Sequence, residues 1–78
     1  MPLIKKNKKF NGKLLYHRRI MLGLNFKDIA TKVGCSAPAV HKWEVGKSKP
    51  NPSSMFRLAK ALKVKPDYFY LENDKDKV

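Results

Sequence analysis

The stretch Phe26 to Pro50, FKDIATKVGCSAPAVHKWEVGKSKP, constrains this chain more than any other, because two glycines cut two short helical patterns to length. Phe26, Ile29, Ala30 and Val33 fall at i, i+3, i+4 and i+7, the apolar face of an amphipathic helix. Asn25 precedes that face as an N-cap, Asp28 stands where a capping box places a longer acid, and Leu24 can staple onto Ile29. Gly34 ends the helix, since it turns left-handed without a Cβ penalty. The next helix is expected from Ala37 to Val45, with Ser36 as cap, Val40 and Trp43 facing inward, and Gly46 as terminator. Pro38 is tolerable only in the first turn, and it disfavours helical geometry at Ala37, which leaves a cap one residue later open. The two helices must cross closely, and Ala30 is small at the crossing.

Outside this stretch the apolar positions also recur at helical spacing, and no segment shows the two-residue alternation of a half-buried strand. Leu15, Arg19 and Leu22 fall at i, i+4 and i+7, flanked by Leu14 and Ile20, which predicts a first helix from about Gly12 to Leu22. Asn11 is its N-cap and Gly23 lies beyond its end. After the loop Lys47 to Asn51, Pro52 suits a first helical position, and Met55, Leu58, Ala59 and Leu62 repeat the core spacing. Lys63 to Lys65 form a break. Pro66 and Asp67 then open a short fifth helix carrying Phe69, with Asp67 near the positive end of the helix dipole. The expected fold class is therefore all-α, with five helices in one domain. Residues 1–10 form a flexible basic arm, 11–71 the folded domain, and 72–78 a polar tail that frays. A chain of 78 residues buries only about 60% of its unfolded surface, so a single modest core and a partner subunit are expected.

Charge narrows the function classes. The formal net charge is +12, more than solubility needs, and it points to a polyanion or an anionic membrane surface. Sixteen lysines and arginines precede residue 66 against only Asp28 and Glu44, whereas Asp67, Glu72, Asp74 and Asp76 outnumber Lys75 and Lys77 after it. The acidic end is thus expected to lie outside the contact surface. An interfacial membrane helix would set a wide apolar face against lysines, but here each helix commits that face to a shared core. No apolar run approaches the roughly 20 residues of a bilayer span, and MPLIKKNKKF lacks the apolar stretch of about 7 to 15 residues of a secretory signal. A cytoplasmic location without membrane binding is expected.

The lone Cys35 excludes an internal disulfide and is read as a small turn residue rather than a reactive thiol. His17, His41 and Cys35 lack metal-ligand spacing, there is no glycine-rich phosphate loop, and the acids are mostly C-terminal. No catalytic residue, metal or other cofactor is expected, and the chain is not read as an enzyme.

With these helices in place, the series Arg19, Gly23-Leu24-Asn25, Ile29-Ala30, Val33-Gly34, Val40, Trp43-Glu44, Gly46, Pro50, Leu58-Ala59, Leu62 and Val64 resembles the Cro/cI-type helix-turn-helix family. This family, also called XRE, comprises phage and bacterial regulators, and the resemblance covers about residues 10 to 71. It implies a compact lambda-repressor-like domain that binds double-stranded DNA, represses transcription and lays its third helix in the major groove. It also implies a partly buried ion pair between Arg19, on the face of Leu15 and Leu22, and Glu44, next to the inward Trp43.

Mapped onto this chain, the resemblance makes Ala37, Pro38, Ala39, His41 and Lys42 the residues that meet base edges. This is a sparse reading alphabet, because only Lys42 belongs to the strong base partners. Ala37, Pro38 and Ala39 can touch thymine methyls, His41 can donate or accept one bond, and Ala37 and Ala39 can equally be helix-forming filler. Phe26 departs from the glutamine that many members carry at the start of the second helix. It either joins the core or supports contact with a methyl or sugar.

Phosphates have better provision. Amides near Asn25 and Lys27 form an anion site through the helix dipole, and Ser36, Lys47, Ser48 and Lys49 add donors. Lys5, Lys6, Lys8 and Lys9 form an arm that follows the backbone or enters a groove. Family members usually bind as two-fold dimers, which makes Phe69, Tyr70 and Leu71 the expected homodimer surface, although Phe69 can instead complete the core. The rival role is a protein-interaction module, such as an antitoxin or accessory factor with a protein partner, whose DNA binding is secondary.

Overall fold

Each α-helix begins where a side chain satisfies amides that the first turn leaves bare. The structure, a computed structural model, describes residues 4–6 and 9–73, with the short strands at its two ends given by their backbone only. Helix α1 spans Gly12–Met21, α2 Phe26–Val33, α3 Ala37–Val45 and α4 Pro52–Ala61. Lys13 N donates to Asn11 Oδ1 at 3.0 Å, Ala39 N to Ser36 Oγ at 3.3 Å, and Ser54 N to Asn51 Oδ1 at 2.8 Å. At α2 the capping box is complete: Asp28 N donates to Asn25 Oδ1 at 2.7 Å, and Asn25 N donates to Asp28 Oδ2 at 2.9 Å. Aspartate therefore does the work of the longer acid. Ser36 is extended, with φ −94° and ψ 154°, so the cap is Ser36 and Pro38 sits in the first turn.

The fifth element differs from the expected helix. Pro66–Tyr70 is a 3-10 helix, tightened by a bond from Tyr68 N to Lys65 O at 2.9 Å. Five residues are too few to repay α-helix nucleation, and the tighter turn suffices to carry Phe69 inward. Lys63, at φ 59°, makes the left-handed break before it. Among the described residues the body is thus all-α with four α-helices. Periodicity does not foresee a small ribbon at the ends, where Ile4–Lys6 (β1) pairs antiparallel with Leu71–Asn73 (β2) and Lys5 stands opposite Glu72. Three-residue strands are too short to display an alternation. The ribbon draws on residues assigned to the arm and the tail, while Lys8 and the tail from Asp74 onward lie outside the described residues.

The core joins all five helical elements. Leu15, Ile29, Val33, Val40, Leu58, Leu62 and Phe69 are fully buried, and Ala30, Trp43, Met55 and Ala59 complete the cluster. Phe69 requires a correction to the expected dimer surface, because its exposure is 0%. Its ring lies 5.4 Å from that of Phe10, and its carbonyl accepts from Asn11 N at 2.7 Å, so it completes the core. Gly12 sets how closely α1 meets α3. A Cβ there would lie 2.5 Å from the carbonyl oxygen of Trp43 and closer still to that of Glu44, so only hydrogen fits. Among the described residues, no helix is long and apolar enough to cross a membrane.

Candidate nucleic-acid interface

Helix α3 is held at three places, and each has a local cause. At its start, Gly34 adopts φ 84° and ψ 37°, while Gly34 N and Cys35 N both donate to Ala30 O, at 2.8 and 3.0 Å. That conformation favours glycine, which has no Cβ to strain it. Arg57 of α4 donates from Nη1 to Val33 O at 3.4 Å and so satisfies a carbonyl that the end of α2 leaves bare. Along its length, Val40 and Trp43 anchor α3 in the core.

At its end, Glu44 meets Arg19 of α1. Arg19 Nε donates to Glu44 Oε2 at 2.5 Å and Nη2 to Oε1 at 3.3 Å, a two-pronged pair whose side chains are only 12% and 6% exposed. Arg19 Nη1 also donates to Leu24 O at 3.2 Å, which ties in the entry to α2. The guanidinium lies 4.3 Å from the Phe26 ring centroid and 5.6 Å from that of Tyr16. One side chain of α1 thus fixes both helices of the turn.

What α3 then offers to solvent is a narrow face. Pro38, His41, Lys42 and Val45 are exposed, whereas Ala37 and Ala39 are half-buried against the core cluster. The two alanines therefore serve packing as well as helix formation. An α-helix with its side chains is about 10–12 Å across, which matches a DNA major groove of about 12 Å. Val45 shares the exposed face because it lies seven residues after Pro38. Its sequence position conceals this, since an apolar residue beside a terminating glycine looks like core.

The residues expected to meet anions are open to solvent. Lys27, Ser36, Lys47, Ser48 and Lys49 are all exposed, and the buried Pro50 anchors the loop that carries the last three. Lys47 N and Ser48 N fold back onto Lys42 O, at 2.9 and 3.4 Å, leaving their side chains to reach outward. Asn25 is exposed, but the capping box engages both its backbone N–H and its Oδ1, which leaves the side-chain NH₂ as its remaining donor. Lys9 is exposed; the side chains of Lys5 and Lys6 lie outside the described residues.

For Phe26 the core alternative is the one observed. It is half-buried and packed against the core, and its ring also meets His41 edge-on, at 5.5 Å and 80°. Cys35 is half-buried in the turn, and loss of solvation pushes its thiol above the ordinary range, which disfavours the nucleophilic thiolate. No group of three potential metal ligands occurs among the described residues.

A second surface adjoins the 3-10 helix. Tyr70 is half-buried and lines an apolar groove with Pro50, Pro52, Met55, Phe56 and Pro66, while the side chain of Leu71 is outside the described residues. Phe56 is 60% exposed, and sequence reasoning missed it. The available signal was an aromatic ring next to Met55 but off the stripe of Leu58, Ala59 and Leu62.

A family model described as helix-turn-helix matches residues 15–69. An uncharacterized transcriptional regulator in the ATPase CF(0) region of Rhodospirillum rubrum is 34% identical over 59 residues, which cover 76% of this chain and 55% of that protein. The chain therefore spans about half the length of this curated relative. Among solved structures, the P22 c2 repressor in complex with a synthetic operator is similar at a TM-score of 0.75 and 31% identity, covering 80% of this chain and 94% of that one. The restriction-modification controller C.AhdI from Aeromonas hydrophila is similar at 0.71 and 25% identity, covering 76% and 89%. These relatives are regulators rather than enzymes.

Proposed function

Because the chain belongs to the helix-turn-helix family, we propose that it binds double-stranded DNA sequence-specifically and regulates transcription, acting as a two-fold dimer with α3 in the major groove. The observation that carries this reading is the exposed face of Pro38, His41 and Lys42, on a helix fixed by the Gly34 turn and the Arg19–Glu44 pair. The P22 c2 repressor, similar in fold, was solved on an operator, and the +12 charge suits the same partner.

In this reading the phosphates supply most of the affinity. Lys47, Ser48 and Lys49 follow α3 into the backbone on one side, Asn25, Lys27 and Ser36 on the other, and Lys5, Lys6, Lys8 and Lys9 extend the contact. Lys42 and His41 read polar base edges, and Pro38, with the exposed parts of Ala37 and Ala39, faces thymine methyls. So few base contacts give weak discrimination per subunit, and two-fold symmetry doubles them on half-sites about one helical turn apart. The groove beside Tyr70 supports a dimer contact, with Phe56 as its apolar centre. The site of action is the cytoplasm, at the nucleoid.

The exposed Phe56 also favours a second reading, in which the groove takes a protein partner and DNA binding is secondary, as in an antitoxin or accessory factor. Selection of bound duplexes from a random library at physiological salt separates the two. An enriched motif with two-fold symmetry supports the regulator; no enrichment, together with one stoichiometric protein partner in a pull-down, supports the second.

A further inference from the structure

We propose that Phe26, on α2, is a specificity-determining positioning residue: it fixes the ring of His41 on α3, so that the base pair read by His41 is selected by two helices and not by α3 alone. This inference rests on the DNA-binding reading above. Three observations carry it. The Phe26 ring is held on one side by the Arg19 guanidinium, 4.3 Å from its centroid. Arg19 is itself immobilised by Glu44 and Leu24 O, so this support is rigid. The same ring meets His41 at 5.5 Å in an edge-to-face arrangement of 80°, although His41 is exposed.

An exposed histidine ordinarily samples several rotamers, and each bond it makes to a base then carries an ordering cost. An aromatic wall 5.5 Å away removes that freedom before DNA arrives. Edge-to-face contact between rings is attractive and directional, so it selects a ring plane as well as a position. Tyr16, Arg19, Phe26 and His41 thereby form one continuous series of contacts across α1, α2 and α3. Within α3 the neighbours of His41 on the same face are Pro38 and Val45, and neither carries an aromatic ring that could present such a wall.

Two measurements test the proposal. In the free protein, proton NMR should show His41 ring protons displaced by the Phe26 ring current, and F26L should abolish the displacement while F26Y keeps it. On the selected operator, affinities for all four base pairs at each position should reveal one position where H41A removes a discrimination of roughly fivefold, the low end for a specific base contact. F26L should remove discrimination at that same position, the F26L/H41A double variant should lose no more than either single variant, and F26Y should restore it. If F26L is too unstable to assay, F26M serves, with circular dichroism checking the fold. Independent, multiplying losses from F26L and H41A, or a loss spread equally over all operator positions, would overturn the proposal. Failure to select any operator would instead overturn the DNA-binding reading, and the two failures are thus distinct.

Discussion

Truncating Glu44 to alanine isolates the interaction that orients the proposed reading helix. Arg19 would keep its bond to Leu24 O at 3.2 Å and the faces of Phe26 and Tyr16, but would lose both carboxylate acceptors. With side-chain exposures of 12% and 6%, water reaches the vacated site poorly. Breaking a buried pair by removing one partner costs roughly 3 to 5 kcal/mol, and the surviving carbonyl and ring contacts set the expectation at the low end, about 3 kcal/mol. For a domain of this size that corresponds to a fall in melting temperature of roughly 12 to 24 °C. Urea unfolding followed by the fluorescence of the buried Trp43 and by circular dichroism measures the loss, and coincident transitions check two-state behaviour. R19M/E44L, which replaces the pair by apolar groups, should recover much of the stability of E44A, because a matched apolar replacement is often close to neutral. A loss below about 1 kcal/mol would mean that water screens the pair, and the burial argument would be wrong. Simple addition of the R19M and E44L effects in the double variant would mean the residues are not coupled.

Other perturbations probe separate links of the same account. G12A should destabilise by about 2 to 3 kcal/mol in the same urea assay, since its Cβ would meet backbone oxygens of α3 that cannot rotate away. A stability within about 0.5 kcal/mol of the parent, roughly the range of inconsequential surface changes, would refute that close approach. K47A should flatten the log-log dependence of DNA affinity on salt by about 0.9, the contribution of one phosphate, and an unchanged slope would place Lys47 off the backbone. Cys35 should alkylate slowly at neutral pH. Its raised titration leaves less thiolate than an ordinary thiol, so the rate should climb only as pH passes above the usual thiol range. Labelling by iodoacetamide at neutral pH as fast as that of a solvent-exposed cysteine in a short peptide argues against a partly buried turn residue.

The sequence was legible where a residue's role is local or periodic. Asn25 with Asp28, Gly34 and Ser36 announce their caps and turn within four residues, and the i, i+3, i+4 spacing of Ile29, Ala30 and Val33 or of Met55, Leu58 and Ala59 announces the core. The pair of Arg19 and Glu44, 25 residues apart, was implied by family resemblance and by position, and the geometry supplied its second prong and its bond to Leu24 O. Contacts between elements were the unreadable part. Nothing in the sequence marks Gly12 as the point where α1 touches α3, because an opening helical glycine looks like a loop remnant. Phe26 fits the core stripe of α2, yet its contact with His41 depends on the crossing of two helices. Phe69 had two plausible destinations, and only the packing of Phe10 and the 3-10 helix around it decides for the core. Strand pairing at the ends is likewise a matter of long-range register, with Lys6 opposite Leu71.

The central claim is that the face of α3 discriminates among DNA sequences rather than adhering to any polyanion. Its most direct test is a competition titration at physiological salt, measuring the affinity for the selected duplex against a scrambled duplex of the same length. The predicted preference is on the order of a thousandfold or more, the range in which specific binding separates from non-specific binding. Equal affinity for both duplexes, with the same salt dependence, would reduce the protein to a basic surface and contradict the account.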